Sequence, residues 1–464
     1  MTPIPDPADL RALVARLEHG LLERDAAVRL ALLAALAGEH VLLIGPPGSA
    51  KSELARRVHR AFADTRYFER LLTRFSTPEE LFGPLSLAAL EDDRYERLVD
   101  GYLPTAGVAF LDEVFKANSA ILNALLALLN ERVFDNGRDR VRVPLVSVIG
   151  ASNEGPTDEA LRAFHDRFLV RIAVEPVSDA SFEALLALDS AAAAPAATPL
   201  TAAQCEALRA AAGRVALGDE ARQALVALRR WLAAEGLTAP SDRRWRQWVA
   251  LMGVAAASEG RASLDALDLW TAPYVVAPEP AQAATVEAWF VGRLLEAAPL
   301  DAAWLTRAVE AFELQLEVER QAPPENGADS DAGKLAALRA AGGAQGDALA
   351  ATRLVSEALQ ASAGRRYGAL HIATRVAQVR TLRERTDAAC AALEAQLAGL
   401  AQRLAPRWWW PPSLVERVLA GPRSTGQRLA GLRSRLLACE QGFGSLPCDG
   451  TADAPAPAPV PLPA

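Results

Sequence analysis

Lysine is nearly missing from this chain: of 49 basic residues only Lys51, Lys116 and Lys334 are not arginine. Codon bias in a GC-rich genome accounts for that and for the alanine excess, so a lysine kept where a motif demands one is informative. Cysteine is scarce as well. Cys205, Cys390, Cys439 and Cys448 are scattered without metal-ligand spacing, which argues against both a disulfide framework and a zinc site. No run approaches the ~18 apolar residues of a membrane span, and the opening MTPIPDPADLRALVARLE lacks the basic-then-apolar order of a signal peptide. The expectation is a cytoplasmic protein without a membrane span. Net charge is −8 and the pI about 5.4, which opposes nonspecific attraction to nucleic acid or anionic lipid and makes a protein the expected partner.

What is present is globular: 464 residues, 51% hydrophobic and 23% charged, enough for about three domains at ~150 residues each. Residues 8–37 read as two helices stopped by Gly38. From His40 to Leu188 short apolar runs (VLLIG, GVAFLD, LVSVIGAS) alternate with helix-length segments, the pattern of a parallel α/β sheet. Two stretches read as hairpins, 86–98 and 131–143, the second with an Asn136-Gly137 pair suited to a primed turn. The expected organisation is an α/β nucleotide-binding core over 1–195, a helical lid over 196–320, a linker at 321–333, a helical partner-binding region over 334–441 and a disordered tail over 442–464. In the fourth segment Leu393, Leu397, Leu400 and Leu404 fall at i, i+4, i+7 and i+11, a stripe for a helical hairpin or coiled coil. The cluster Arg407-Trp408-Trp409-Trp410 reads either as a plug for that helical domain's own core or as an exposed docking element.

The chemistry is concentrated in three places. Gly45-Pro46-Pro47-Gly48-Ser49-Ala50-Lys51-Ser52 follows an apolar strand and opens an amphipathic helix through Glu53, the context of a phosphate-binding loop. Backbone amides at such a helix start face phosphate oxygens, Lys51 reaches the β and γ groups of ATP, and the Ser52 hydroxyl ligates Mg²⁺. The usual glycine before the lysine is Ala50, which is compatible with the loop only if its φ stays negative. Val108–Glu113 is a strand ending in two carboxylates, as in a Walker B element: Asp112 to hold magnesium and Glu113 to polarise the attacking water. A third strand delivers Asn153, placed to orient that water or read the γ-phosphate, or else to cap the next helix.

The segments LLTRFSTPEELFGPLSLAALEDDRYERL, GYLPTAGVAFLDEVFKANSAILNALLALLNERVFDNG and ASNEGPTDEALRAFHDRFLVR resemble the MoxR branch of AAA+ ATPases, and within it the RavA subfamily, over about residues 10–320. The resemblance implies an AAA+ core with a helical lid, a hexameric ring, Asn153 as sensor 1, Arg167 as arginine finger and Arg243 as sensor 2, with Arg244 able to exchange roles with Arg243. It places the two hairpin candidates at a central pore. It also suggests a von Willebrand A-domain partner. RavA proteins carry a β-rich module that docks on a lysine decarboxylase, but residues 334–405 read as helical, which argues against that partner.

The implied activity is ATP hydrolysis coupled to remodelling or chaperoning of a protein. A nucleotide-gated scaffold with little turnover is the alternative from another class. A nucleic-acid motor is disfavoured because the pore-facing candidates carry net charges of −2 and +1.

Overall fold

The computed structural model describes residues 3–156, 159–188, 194–277, 279–294, 301–322, 365–449 and 456–462. The sequence-predicted second linker and residues 334–364 therefore fall almost wholly outside the described residues. Two compact units emerge, one of residues 1–296 with 402–417 and one of 297–401 with 418–464.

The first unit begins with α1 (Pro7–Glu18) and α2 (Asp25–Ala37), and Gly38 ends α2 in the left-handed region at φ 79°, as its position after the apolar pattern predicts. Five parallel strands follow: β1 (His40–Ile44), β2 (Tyr67–Leu71), β3 (Val108–Asp112), β6 (Ser147–Ser152) and β7 (Phe168–Ala173), in the order β2-β3-β6-β1-β7. β1 and β6 are buried throughout, which explains their uninterrupted apolar runs. Helices α3 (Lys51–His59), α6 (Ser119–Glu131) and α7 (Glu159–His165) connect strands, and Leu122, Leu125 and Leu129 of α6 join Leu42, Phe68 and Val148 in one core cluster.

Of the two hairpin expectations one is right, with its turn one residue later than the expected Asn136-Gly137 pair. β4 (Val133–Asn136) and β5 (Asp139–Arg142) pair antiparallel around Gly137-Arg138, with Gly137 at φ 68° and Asn136 serving as the last strand residue. A Cβ on Gly137 would lie 2.5 Å from the Tyr95 carbonyl, so the turn needs glycine for space as well as for φ. Residues 86–98 are a correction: after α4 (Pro78–Phe82), the tip is a helical turn, α5 (Leu87–Glu91), closed by an isolated Leu85–Arg97 bridge. Ser86 caps α5 by accepting from Ala89 N, and LAALE has too strong a helix preference to stay extended. Asn136 ties the two loops together, accepting from Arg97 N at 2.7 Å and donating to Arg97 O at 3.2 Å.

After β7 the first unit continues with α8 (Asp179–Leu186), α9 (Ala202–Ala212), α10 (Asp219–Ala234), α11 (Asp242–Ser258), α12 (Ala272–Val275) and α13 (Pro280–Leu294), with one short parallel strand pair, β8 (Ala216–Leu217) and β9 (Ser263–Leu264); the helical lid expected over 196–320 ends earlier, because residues from 297 on belong to the second unit. The tryptophan cluster belongs here, not in the core of a separate helical domain and not on the surface. Trp409 is fully buried and donates its indole N–H to Ser258 Oγ at 2.7 Å, while Trp410 packs on Trp270 and Phe290. The expected separation of everything after residue 333 from the nucleotide-binding part is corrected accordingly, since 402–417 is part of the first unit.

The second unit packs α14 (Ala302–Gln321) with the parts of α15 (Ala369–Leu404) and α16 (Pro412–Gly444) that lie in it, around Phe312, Val379, Leu393, Leu436 and Phe443. Leu393 and Leu400 of the predicted stripe are buried. The expectation of a disordered stretch from residue 442 fails for the described part: β10 (Tyr367–Gly368) pairs with β11 (Cys448–Asp449), Val460 is buried, and Arg375 donates to the Ala458 carbonyl at 2.8 Å. Low sequence complexity concealed a short stretch that finds specific partners.

Candidate functional site

The phosphate-type loop, Asp112 and Asn153 stand at the carboxyl ends of β1, β3 and β6, three adjacent strands in the order β3-β6-β1. That crevice is where an open parallel sheet receives ligands. Gly45 is indispensable to the loop: its N–H bonds Ser152 O at 3.0 Å, and a Cβ would sit 2.1 Å from the Val174 carbonyl. Gly48 takes φ 81°, Pro46, Pro47 and Gly48 are exposed, and Ser49 is buried with its hydroxyl on Pro46 O at 2.9 Å. Lys51 opens α3 and folds back over the loop, donating to Gly45 O at 2.7 Å and Pro46 O at 2.8 Å. Burial pushes its pKa down, while the carboxylates of Asp112 and Glu113 pull it back up, so the ammonium lies in their field. Ser52 lies in the first turn of α3. The Glu53 carboxylate pairs with Arg57 at 2.8 Å, so only its main-chain amide belongs to the helix start.

Ala50 corrects the sequence expectation directly. It adopts φ 67°, the left-handed conformation that a glycine would supply freely. An alanine there costs about 1–2 kcal/mol in backbone strain. Ala50→Gly should therefore raise unfolding stability by about 1 kcal/mol after the entropy glycine loses on folding, with nucleotide binding retained. Urea denaturation of both proteins checks this, and an equal or lower midpoint for the variant would contradict it.

Glu113 also sits at positive φ, 52°, directly after β3. The turn brings its carboxylate to Asn153, whose Nδ2 donates to Oε1 at 2.7 Å, and to Lys116 Nζ at 3.3 Å. Asp112 Oδ1 accepts from Glu113 N at 3.0 Å. Glu113 and Asn153, forty residues apart, are thus one hydrogen-bonded pair.

The arginines lie elsewhere. Arg167 immediately precedes β7, whose Phe168 is in register with His40 at the start of β1, so it stands at the amino edge of the sheet. Arg243 donates to Asn130 at the end of α6 at 3.0 Å and acts electrostatically on Glu39, just before β1. Both are a full strand, about 16 Å, from the phosphate-type loop of their own chain. Burial lowers the Arg167 pKa and the neighbouring Arg243 charge lowers it further, and its Nε has no hydrogen-bond partner among the described residues. Arg244 cannot substitute for its neighbour. It is 2% exposed and donates to the carbonyls of Asp166, Phe168, Leu169 and Val275, joining α11 to β7. His165 is buried against Phe115, its pKa pushed down to about 3 by burial, which marks it as a neutral packing residue.

Glu39 accepts from Gln247 at 2.8 Å, and burial lifts its pKa to about 7 despite Arg132 and Arg243 nearby. Below pH ~4.5 it is neutral in folded and unfolded chains alike; as pH rises to about 7 the unfolded chain ionises first, so the folded state loses stability over that window. Glu39→Gln should remove that loss, about 2 kcal/mol after allowing for partial exposure. Denaturant midpoints at pH 5 and pH 8 read it: equal slopes with pH for both proteins would contradict the assignment.

Sequence reasoning missed Arg24. Buried at the start of α2, it donates to Glu23 O at 2.9 Å, to Glu175 O, and at 3.4 Å to Ser49 O of the phosphate-type loop. Beside it, Ser178 donates its N–H to the Glu23 carboxylate at 2.9 Å. An arginine before a helix carries no local signal for contacts that arise 25 and 151 residues away.

Residues 8–210 match the family described as the MoxR domain in the MoxR-vWA-beta-propeller ternary systems, and residues 220–290 match an AAA lid domain. Over these two stretches the chain is similar to a MoxR-type AAA+ ATPase domain and its lid. Two uncharacterised proteins of Methanocaldococcus jannaschii are 54% identical over 157 residues, which is 34% of this chain and 41% and 42% of theirs. Protein MoxR of Paracoccus denitrificans is 32% identical over 175 residues, 36% of this chain and 50% of its own. The chain thus spans half or less of the length of these curated relatives. The MoxR domain and lid both lie within the first unit, and the second unit, from residue 297, lies beyond both matches.

Proposed function

We propose that the protein is a ring-forming, RavA-like MoxR ATPase, a homo-oligomer of six subunits, that couples hydrolysis of ATP to remodelling or chaperoning a protein partner in the cytoplasm. The observation that carries this reading is the division of the site between opposite edges of one sheet. Gly45–Glu53, Asp112, Glu113 and Asn153 share the carboxyl edge, whereas Arg167 and Arg243 share the amino edge. A chain cannot complete its own site, but a second copy presenting its amino edge can.

The residues suit Mg²⁺-ATP. Gly45 keeps the loop free of side-chain bulk, amides from Gly48 to Glu53 lie at a helix start, and Ser52 and Asp112 offer the oxygen donors magnesium prefers. When bound there, Mg²⁺ neutralises phosphate charge. Lys51 holds phosphate oxygens, Glu113 accepts the proton of the attacking water, Asn153 orients the Glu113 carboxylate, and the neighbour's Arg167 and Arg243 stabilise charge that develops in the transition state. The partner reading favours a von Willebrand A-domain protein over the lysine decarboxylase, because the matched family is described from MoxR-vWA-beta-propeller systems.

Turnover per subunit should rise with protein concentration and fall on dilution as the assembly dissociates. A dilution series with sedimentation in parallel tests it. A constant rate per subunit down to monomer would reject the shared site, and no Mg²⁺-dependent turnover at any concentration, with or without partner, would leave the scaffold reading.

A further inference from the structure

The segment Arg407–Ser413 is held from two sides. From the lid, Asp265 and Asp268 take the Arg407 guanidinium, the latter at 3.0 Å, Ser258 takes the Trp409 indole N–H, and Glu259 accepts from Trp409 N at 3.2 Å. From the core, Arg29 of α2 donates to the carbonyls of Trp408 and Trp410, and Asp25 accepts from Ser413 N at 2.9 Å and Ser413 Oγ at 3.0 Å. Asp25 is the first residue of α2 and follows Arg24, whose guanidinium reaches Ser49 of the phosphate-type loop and Glu175 beyond β7. An apolar plug would need only the Trp409 and Trp410 rings. Here the Arg407 guanidinium, the Trp409 indole and amide, the Trp408 and Trp410 carbonyls and Ser413 are matched to partners on lid and core, while the indole N–H groups of Trp408 and Trp410 have none among the described residues; directional bonds of this kind fix one geometry instead of merely filling space.

We propose that Arg407–Ser413 is a latch that positions the nucleotide site: it fastens the start of α2 to the lid, and α2, through Arg24, steadies the loop around Ser49. Asp25, Arg407 and Trp409 are then positioning residues for ATP binding and touch no reacting atom. The inference rests on reading Gly45–Glu53 as the ATP site.

The test uses the full chain with Asp25→Ala, Trp409→Phe and the double variant, which loosen the latch from its core and lid ends. Two quantities are read: amide hydrogen exchange at Gly48–Ser52 without nucleotide, and the Kd of a fluorescent ATP analogue. Each single variant should speed loop exchange and weaken binding by about three- to tenfold, with turnover at saturating ATP within about twofold of the parent. Because both act on one device, the double variant should be no worse than the weaker single, a departure from additivity. Loop exchange at the parental rate in both singles, or exchange raised only around 258–270 and 409, would overturn the latch in favour of local packing. If Trp409→Phe does not fold, Asp25→Ala decides alone. A parent chain that binds no ATP analogue would reject the ATPase reading instead, and the exchange measurement would still decide whether the latch acts on the loop.

Discussion

Lys51→Ala is expected to abolish nucleotide binding, whereas Glu113→Gln should keep binding and lose turnover. The two residues act on different stages. The Lys51 ammonium is held over the loop by Gly45 O and Pro46 O, close enough to Asp112 and Glu113 to feel their charge, and is the only lysine near the loop in sequence. Removing two charge-assisted bonds to phosphate weakens affinity by about 10²–10⁴-fold. Glu113→Gln keeps the side chain's shape and the Asn153 contact but removes the base, which lowers the rate by about 10²–10⁴-fold. A fluorescent-nucleotide titration alongside a phosphate-release assay measures both. Parental turnover in the Glu113 variant would remove its catalytic role, and parental affinity in the Lys51 variant would move the ATP site elsewhere.

Two inactive chains should restore each other. Arg167→Ala leaves the carboxyl-edge residues intact, and Lys51→Ala leaves the amino edge intact. Each alone loses turnover by about 10³-fold or more. Mixed in equal amounts and allowed to exchange subunits, roughly a quarter of the interfaces join an intact Lys51 site to an intact Arg167, and activity returns in proportion. The same reasoning separates Arg243 from Arg244. Arg243→Ala should be rescued in the mixture, while Arg244→Ala should lower the unfolding midpoint, because it strips four carbonyls of their donor, those of Asp166, of Phe168 and Leu169 in β7, and of Val275 in α12. A mixture that stays inactive although subunits exchange would put the arginines outside the reaction.

The parts of the site that were legible in the sequence are those whose chemistry is local. The Gly45–Ser52 spacing and the Val108–Glu113 run each specify a backbone shape within a few residues, and the glycine at 137 marks a turn although the turn pair is Gly137-Arg138. Ala50 shows the limit of local reading: alanine prefers negative φ, yet the junction between loop and α3 holds it at 67°. Arg243 and Arg244 are equivalent to a reader of sequence, but successive residues on a helix point about 100° apart, so one faces outward while the other enters the β7 carbonyls. Residues 86–98 misled because the chain closes like a hairpin at its base and like a helix at its tip. Trp409 and Arg24 were illegible for one reason. Their partners lie about 150 residues away or are main-chain carbonyls, which no composition reveals.

The return of residues 402–417 into the first unit bears on the order of synthesis. Phe290, which meets Trp410, emerges from the ribosome about 120 residues before it; at roughly 5–20 residues per second that is a delay of about 6–24 seconds. Throughout that interval Trp270, Ser258, Asp265 and Asp268 lack the contacts that the carboxyl-terminal segment later makes with them. The first unit is therefore finished late, after most of the second unit has been made, and a chain whose translation stops early lacks the segment that Ser258, Asp265, Asp268 and Trp270 contact.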